Sequence, residues 1–433
     1  MPLIDHMVHA KWIITGEAHQ RILLDHTLLV DKGLIVNIIP SAEARALYQA
    51  RCVDNLADHA LLPGFINAHT HVGMGYFRGL GCDLDLMDWL NNYLWPAETK
   101  WLSHDFVRDA SLFGMAEMIR SGTTCFNDMF FFPEAVAQAA DIAGLRGFIS
   151  MHVIDCPTAW TQNTDESLEK GLIFHDNYHQ HGLITPTLTP HAPYSVTDES
   201  FLRVLELAQT LQIKRVVHLH ETKTEIEQSM AQFKKRPIKR LFDLGFLSPD
   251  LMAVHMVHLN EQDLDILNQT KPHIVHCPAS NMKLASGISP VVLLQRMGLN
   301  VALGTDSVAS NNDLNMLSEM RLASLLAKVS TLDPVCLNTD ETLALATSHG
   351  AKALGIENKV GTLATGKSAD FIAMNLDAIE TLPVNDPLVQ IIYSSARQQV
   401  TDVWVAGKQL LKNKELLTLD EDELKAKARR WKP

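Results

Sequence analysis

Between residues 61 and 306 the chain repeats one pattern eight times: a short, nearly continuous apolar run, then a longer stretch with helical periodicity. The runs are "LLPGFINAH", "TTCFNDM", "RGFISMHVI", "ITPTLTPH", "RVVHLH", "LMAVHMV", "HIVHCP" and "NVALGTD". Runs this short read as strands, and their continuous hydrophobicity is what a parallel sheet buried on both faces requires. The intervening stretches, such as 103–122, 199–212 and 290–298, carry apolar residues at 3.6-residue spacing and read as helices. Eight strand–helix units predict an α/β fold, a (β/α)8 TIM barrel. A doubly wound open sheet is the competing architecture, but no GxGxxG follows the first run.

At or just beyond the C-terminal ends of the runs stand His69 and His71, Asp128, Asp155, His191, His218, His255, Asn281 and Asp306. Barrel enzymes gather their chemistry on that rim, where separate strand ends converge on one pocket. Asp128 and Asp155 read equally well as helix caps. The terminal segments lack the strand–helix pattern. "WIITG", "TLLVDKGLIVNII", "ADFIAMNL" and "VTDVWVAGKQLL" are short strands joined by Gly, Asp and Lys turns. They predict one small β-sandwich built from residues 1–60 and 365–433, with 61–364 as the barrel. "LDEDELKAKARRW" predicts a charged helix with i,i+4 pairs on a solvated face.

A net charge of −13 argues against a nucleic-acid partner. No apolar run approaches the roughly 20 residues that span a bilayer, and the N-terminus lacks the pattern of a signal peptide. Six cysteines without a Cys-x-x-Cys pair read as reduced thiols, so a cytoplasmic protein is expected.

The 20 histidines bear on metal binding, because imidazole is the commonest metal ligand. His-x-His occurs three times. His179-Gln180-His181 lies in a polar helix end and reads as a surface pair. His69-Thr70-His71 ends an apolar run, and strand alternation points both rings to one side. His218-Leu219-His220 ends another run in the same way, and from the residues alone either histidine could be a ligand. Asp306 follows the last run directly.

"PGFINAHTH", "HLHETKTE", "AVHMVHL", "CPASNMKL" and "LGTDSVASNN", in this order, resemble the amidohydrolase superfamily, in its branch of cytosine, triazine and adenosine-derivative deaminases. The resemblance runs through nearly the whole chain, including the split terminal domain. It implies one divalent ion, zinc or else iron(II), held by His69, His71, His218 and Asp306. It also implies Glu221 as proton shuttle, since His218-x-x-Glu221 has the family spacing, with His255 and Asp306 beside the attacking water. Two-metal relatives need a lysine at the end of the fourth strand; "TLTPHAPYS" has none, which favours one metal.

Among adenosine derivatives the resemblance is closest to deaminases of 5′-methylthioadenosine and S-adenosylhomocysteine. It places Trp89 over the 5′ side of the nucleoside, with Met74 and Leu90 nearby, Glu98 on the ribose hydroxyls and His191 against the purine. The bland reading of Trp89 is the apolar face of an amphipathic helix. Residues 151–167 contain no Arg or Lys to receive an amino-acid carboxylate, although Arg78 remains a candidate. The expected partner is a small nucleoside, acted on by a homo-oligomer. Two other readings stay open: a hydrolase of a triazine, guanine or another heterocycle, and a metal-binding protein without turnover.

Overall fold

The computed structural model describes residues 1–17 and 22–431. Its strands, in chain order, are β1 (Leu3–Ile14), β2 (Ile22–Asp31), β3 (Leu34–Pro40), β4 (Gln49–Pro63), β5 (Phe65–Thr70), β6 (Thr123–Asp128), β7 (Arg146–Val153), β8 (Ile184–Pro190), β9 (Arg215–Leu219), β10 (Leu251–His255), β11 (His273–His276), β12 (Val301–Leu303), β13 (Phe371–Asn375), β14 (Val400–Val405), β15 (Lys408–Lys412) and β16 (Glu415–Leu416).

Strands β5 to β12 pair in chain order, each parallel to the next. They are the eight expected runs. Except for Thr185, their side chains are buried or nearly so, as a sheet covered by helices on its outer face and filled on its inner face must be. The barrel closes where Thr70 bridges Asp306 and the Asp306 N–H donates to the His69 carbonyl at 3.0 Å. Asn67 seals the same seam: its Nδ2 donates to Thr305 Oγ1 at 2.7 Å, and its Oδ1 accepts from the Thr305 N–H at 3.0 Å.

The first run needs one correction. "LLPGFINAH" is two strands, because Leu61, Leu62 and Pro63 end β4 in the other sheet and the barrel begins at Phe65. Gly64 makes the corner. A Cβ there would lie 2.1 Å from Thr124 Oγ1, so only glycine lets the chain cross so closely over β6.

The terminal segments form one mixed sheet, in the order β16-β15-β14-β13-β4-β1-β2-β3. Only β1 and β4 pair in parallel. Positions three strands apart in a flat sheet would be about 14 Å distant. Yet the His6 and Trp404 rings, on β1 and β14, have centroids 5.9 Å apart, and Lys412 Nζ on β15 lies 3.3 Å from Asp54 Oδ1 on β4. The sheet therefore coils over a core of its own that includes Val8, Leu28, Phe371 and Trp404.

A buried bidentate pair ties this sheet to the barrel: Arg146, at the start of β7, donates to Asp370 at 3.0 and 3.2 Å. The closing helix, Glu421–Arg430, has the expected i,i+4 pairs, Lys425–Glu421 and Lys427–Glu423. It is not merely a solvated helix. Leu424 is buried, and Lys427 reaches Asp109 at 3.1 Å on the barrel helix His104–Arg120. Among the described residues no helix is long and apolar enough to cross a membrane.

Candidate metal centre and substrate chambers

The rim at the C-terminal ends of the strands collects the expected histidines. His69 is the penultimate residue of β5, His71 follows its end, His218 is on β9, and Asp306 lies three residues beyond β12. Gly304 allows this approach: a Cβ there would sit 2.8 Å from His69 Cβ. One donor atom from each of these four buried residues lies within 4.8 Å of the others, a group capable of holding a metal ion.

The separations suit an ion. His69 Nε2 is 3.1 Å from His218 Nε2 and 3.5 Å from Asp306 Oδ1, and His71 Nε2 is 3.1 Å from that oxygen. Ligands about 2.0–2.1 Å from a tetrahedral ion stand about 3.3–3.4 Å from one another. The chemistry of the donors agrees. His71 donates its Nδ1 proton to the Met129 carbonyl, which turns Nε2 toward Asp306 Oδ1. Burial drives His69 down to about 4 and His218 well below its usual range, so both rings are neutral at pH 7. Burial would raise the Asp306 carboxyl, but hydrogen bonds from His69 and His71 hold it well below the ordinary range.

His220 is excluded by its own bonds. Its Nδ1 donates to the His258 carbonyl at 2.8 Å and its Nε2 accepts from the Ile238 N–H at 3.1 Å. No lone pair remains for an ion.

Glu221 and His255 line one small chamber of about 70 Å3 together with His71, His218 and Asp306 of the four-residue group. Glu221 Oε2 is 3.7 Å from His255 Nε2, and burial raises the Glu221 carboxyl. His255 donates from Nδ1 to Asn281 Oδ1 at 2.9 Å. Asn281 is not a strand end, as the run suggested: β11 stops at His276, and Asn281 sits in the next helix, Pro278–Lys283. His191 borders the same chamber, its Nδ1 2.7 Å from Ser195 Oγ.

The helical segment 86–101 covers the opening. It runs as helix over Leu86–Trp89, widens to a π-turn over Leu90–Leu94, and resumes over Trp95–Trp101. Pro96 has no N–H to give to the preceding turn, which accounts for the break in the ladder. Trp89 is buried in the metal-group chamber with Met74 and Leu90, its Nε1 donating to the Leu80 carbonyl at 2.8 Å. Glu98 faces a second, larger chamber of about 650 Å3. Its own surface is half-buried, but protein packs closely round the carboxyl and pushes it up to about 8.

Asp128 and Asp155 are supports. Asp128 accepts from the Val72 N–H at 2.6 Å; Asp155 accepts from the Thr197 N–H at 2.6 Å and Ser200 Oγ at 2.7 Å. Arg78 is spent on Glu117 and the Asn312 carbonyl and lines neither chamber. Other contributors had no signal in the sequence. Ser280 and Ser310 donate to Asp306 Oδ2 at 2.6 and 2.8 Å, turning Oδ1 toward the histidines. Tyr194, within the quoted "TPHAPYS", lines both chambers.

A barrel with this rim group, flanked by a coiled sheet from both termini, is the architecture of metal-dependent hydrolases. Residues 60–410 match the model of the amidohydrolase family, and the chain belongs to that family. It is 42% identical over 429 residues to a 5-methylthioadenosine/S-adenosylhomocysteine deaminase of Teredinibacter turnerae, covering 99% of this chain and 97% of that one. An adenosine deaminase from Xanthomonas campestris with bound zinc superimposes with a TM-score of 0.97 at 41% identity, covering 99% of this chain and 98% of that chain. Atrazine chlorohydrolase from Arthrobacter aurescens shares the fold, with a TM-score of 0.92 at 22% identity over 99% of this chain and all of the other.

Proposed function

We propose that the protein is a hydrolytic deaminase of adenosine derivatives, with 5′-methylthioadenosine as its best substrate and S-adenosylhomocysteine and adenosine as further ones. The observation that carries this reading is a buried Glu221, its carboxyl raised by burial, in one chamber with His71, His218 and Asp306 of a three-histidine, one-aspartate group. The names of the relatives at about 40% identity support the substrate class.

His69, His71, His218 and Asp306 hold one divalent ion, zinc first and iron(II) second. When bound, such an ion lowers the pKa of water from 15.7 toward about 7 and supplies a nucleophile at neutral pH. Asp306 takes the proton of the attacking water, and His255, fixed by Asn281, hydrogen-bonds that water. Glu221 protonates N1 of the purine so that C6 can accept the oxygen. The Glu221 carboxylate then relays the hydroxyl proton of the C6 adduct to the departing amine, and Asp306 returns to Glu221 the proton it took from the water. The C6–O bond forms, the C6–N bond breaks, and water is consumed as ammonia leaves. His191 packs on the purine, Glu98 accepts from the ribose hydroxyls and Trp89 covers the nucleoside.

The chemistry belongs to residues 61–364, with 1–60 and 365–433 as the supporting unit of a cytoplasmic homo-oligomer; six unpaired cysteines fit a reducing compartment.

Ammonia release from the metal-loaded protein, measured over 5′-methylthioadenosine, S-adenosylhomocysteine, adenosine, adenine, cytosine, guanine and a triazine, tests this. The thioether nucleoside should lead and the free bases trail. A free base matching it refutes the ribose contact. A triazine or guanine leading establishes the heterocycle hydrolase instead, and no turnover leaves a metal-binding protein.

A further inference from the structure

The larger chamber, about 650 Å3, is roughly nine times the volume of the metal-group chamber, about 70 Å3, and lies within the about 300–1,000 Å3 typical of whole ligand sites. Tyr194 lines it and the metal-group chamber alike, so a nucleoside seated with its ring at the metal group extends its far end into this space. The walls include Met87, Trp95, Leu102, Phe131, Ile154 and Phe233. Only two lining residues are charged, and both are acids: Glu98, and Asp155 with its oxygens already occupied. Among the described residues no lysine or arginine lines the chamber.

A cation does stand behind the wall. Arg240 is 3% exposed and braces the loop 193–197 from the rear. Its guanidinium donates to Asp198 at 2.6 Å, the Pro193 carbonyl at 2.5 Å and the Val196 carbonyl at 2.9 Å. The guanidinium carbon lies 3.9 Å from the centre of the Phe233 ring. Phe233 lines the chamber and Arg240 does not. The ring therefore stands between the charge and any ligand, and it replaces a carboxylate-binding surface with an apolar one.

We propose that this chamber selects adenosine derivatives whose 5′-thio substituent is uncharged and apolar, including groups much larger than methyl, and that Phe233 sets this preference by screening Arg240. The inference rests on the nucleoside-deaminase reading above. A homocysteine tail brings a carboxylate that must shed water beside Glu98 and Asp155 with no cation to meet it, an uncompensated desolvation. A butyl or phenyl tail meets aromatic and aliphatic walls and displaces water from them.

The test compares kcat/KM of the metal-loaded enzyme for adenosines carrying 5′-methylthio, 5′-n-butylthio and 5′-phenylthio groups and for S-adenosylhomocysteine. The butyl and phenyl compounds should fall within about tenfold of methylthio or exceed it, and S-adenosylhomocysteine should be poorer by on the order of 10². In Phe233→Ala the ratio of S-adenosylhomocysteine to methylthioadenosine should rise by about tenfold or more while phenylthio declines. Phe233→Leu keeps an apolar cover and should keep the native ratio, which also guards against a general folding defect. Native enzyme that takes S-adenosylhomocysteine as readily as the butyl compound overturns the proposal. So does a Phe233→Ala enzyme whose four values fall together with that ratio unchanged. Rejection of both bulky apolar tails by an enzyme active on methylthioadenosine overturns it as well. If none of the four is deaminated, the nucleoside reading itself falls, and this inference with it.

Discussion

Replacing Glu319 by glutamine should remove the pH dependence of one part of the protein's stability. Glu319 is fully buried on the helix Met316–Thr331, where it accepts from Asn311 Nδ2 at 2.8 Å and from the Ala279 N–H at 3.2 Å. Burial pushes its carboxyl up to about 8, against an ordinary value of 4.5. As pH rises the unfolded chain therefore ionises first. Each pH unit between those two values costs the folded state about 1.4 kcal/mol. The penalty reaches about 3 kcal/mol at pH 7 and about 5 kcal/mol by pH 8. Glutamine carries no such penalty, but its NH2 must face one of the two donors, a fixed cost of about 1–3 kcal/mol. Glu319→Gln should thus be the less stable protein near pH 5 and the more stable one near pH 8. Urea unfolding of both proteins at pH 5, 7 and 8.5 measures the difference, and the other buried acids cancel in it. A difference that stays constant across this range refutes a neutral Glu319.

Elemental analysis should find one divalent ion per chain, lost in His69→Ala and Asp306→Ala together with activity; two ions per chain, or activity without any, contradicts the assignment. His218→Ala should lose its ion while His220→Ala keeps it, and the reverse result means that the wrong histidine of this pair faces the centre. Glu221→Gln should retain the metal while kcat falls by on the order of 10² or more in a steady-state ammonia assay; an unchanged kcat removes Glu221 from proton transfer. Gly64→Ala forces a methyl onto Thr124 and should destabilise the protein by about 1–3 kcal/mol, read as a lower Tm, and an unaltered Tm argues against a rigid crossing there.

The barrel was legible because its strands are buried on both faces and its helices on one, two periodicities that differ along the chain. The metal group was legible in part. His69 and His71 obey strand alternation, but His218 and His220 do not: β9 ends at Leu219, and His220 turns to a φ of 56°, swinging its ring toward His258 and Ile238. Alternation alone could not see where the strand stops, and only the family spacing to Glu221 chose between the two. The break at Gly64 hid inside an apolar run because Leu61 and Ile66 look alike whichever sheet buries them. Ser280, Ser310 and Glu319 are ordinary residues on or beside helices, and nothing local marks them; what they do depends on Asp306 and Asn311 arriving from elsewhere. The Phe233–Arg240 stack is likewise a tertiary event, formed across a turn between two helices.

The seam at Thr70 and Asp306 has a kinetic consequence. These residues are 236 positions apart, so their pairing closes a long loop and is a contact whose entropy is hard to recover early in folding. The same backbone bridge sets Asp306 among the histidines, which means that the ligand group comes together only as the barrel closes. Under the proposed assignment, an ion held by this group would act as a rivet across the joint, adding stability as RT ln(1 + [L]/Kd) to the closed ring alone. Chelation should therefore loosen the molecule first at this joint, with the Asp306 amide exchanging its hydrogen well before those in the middle of β7 and β8.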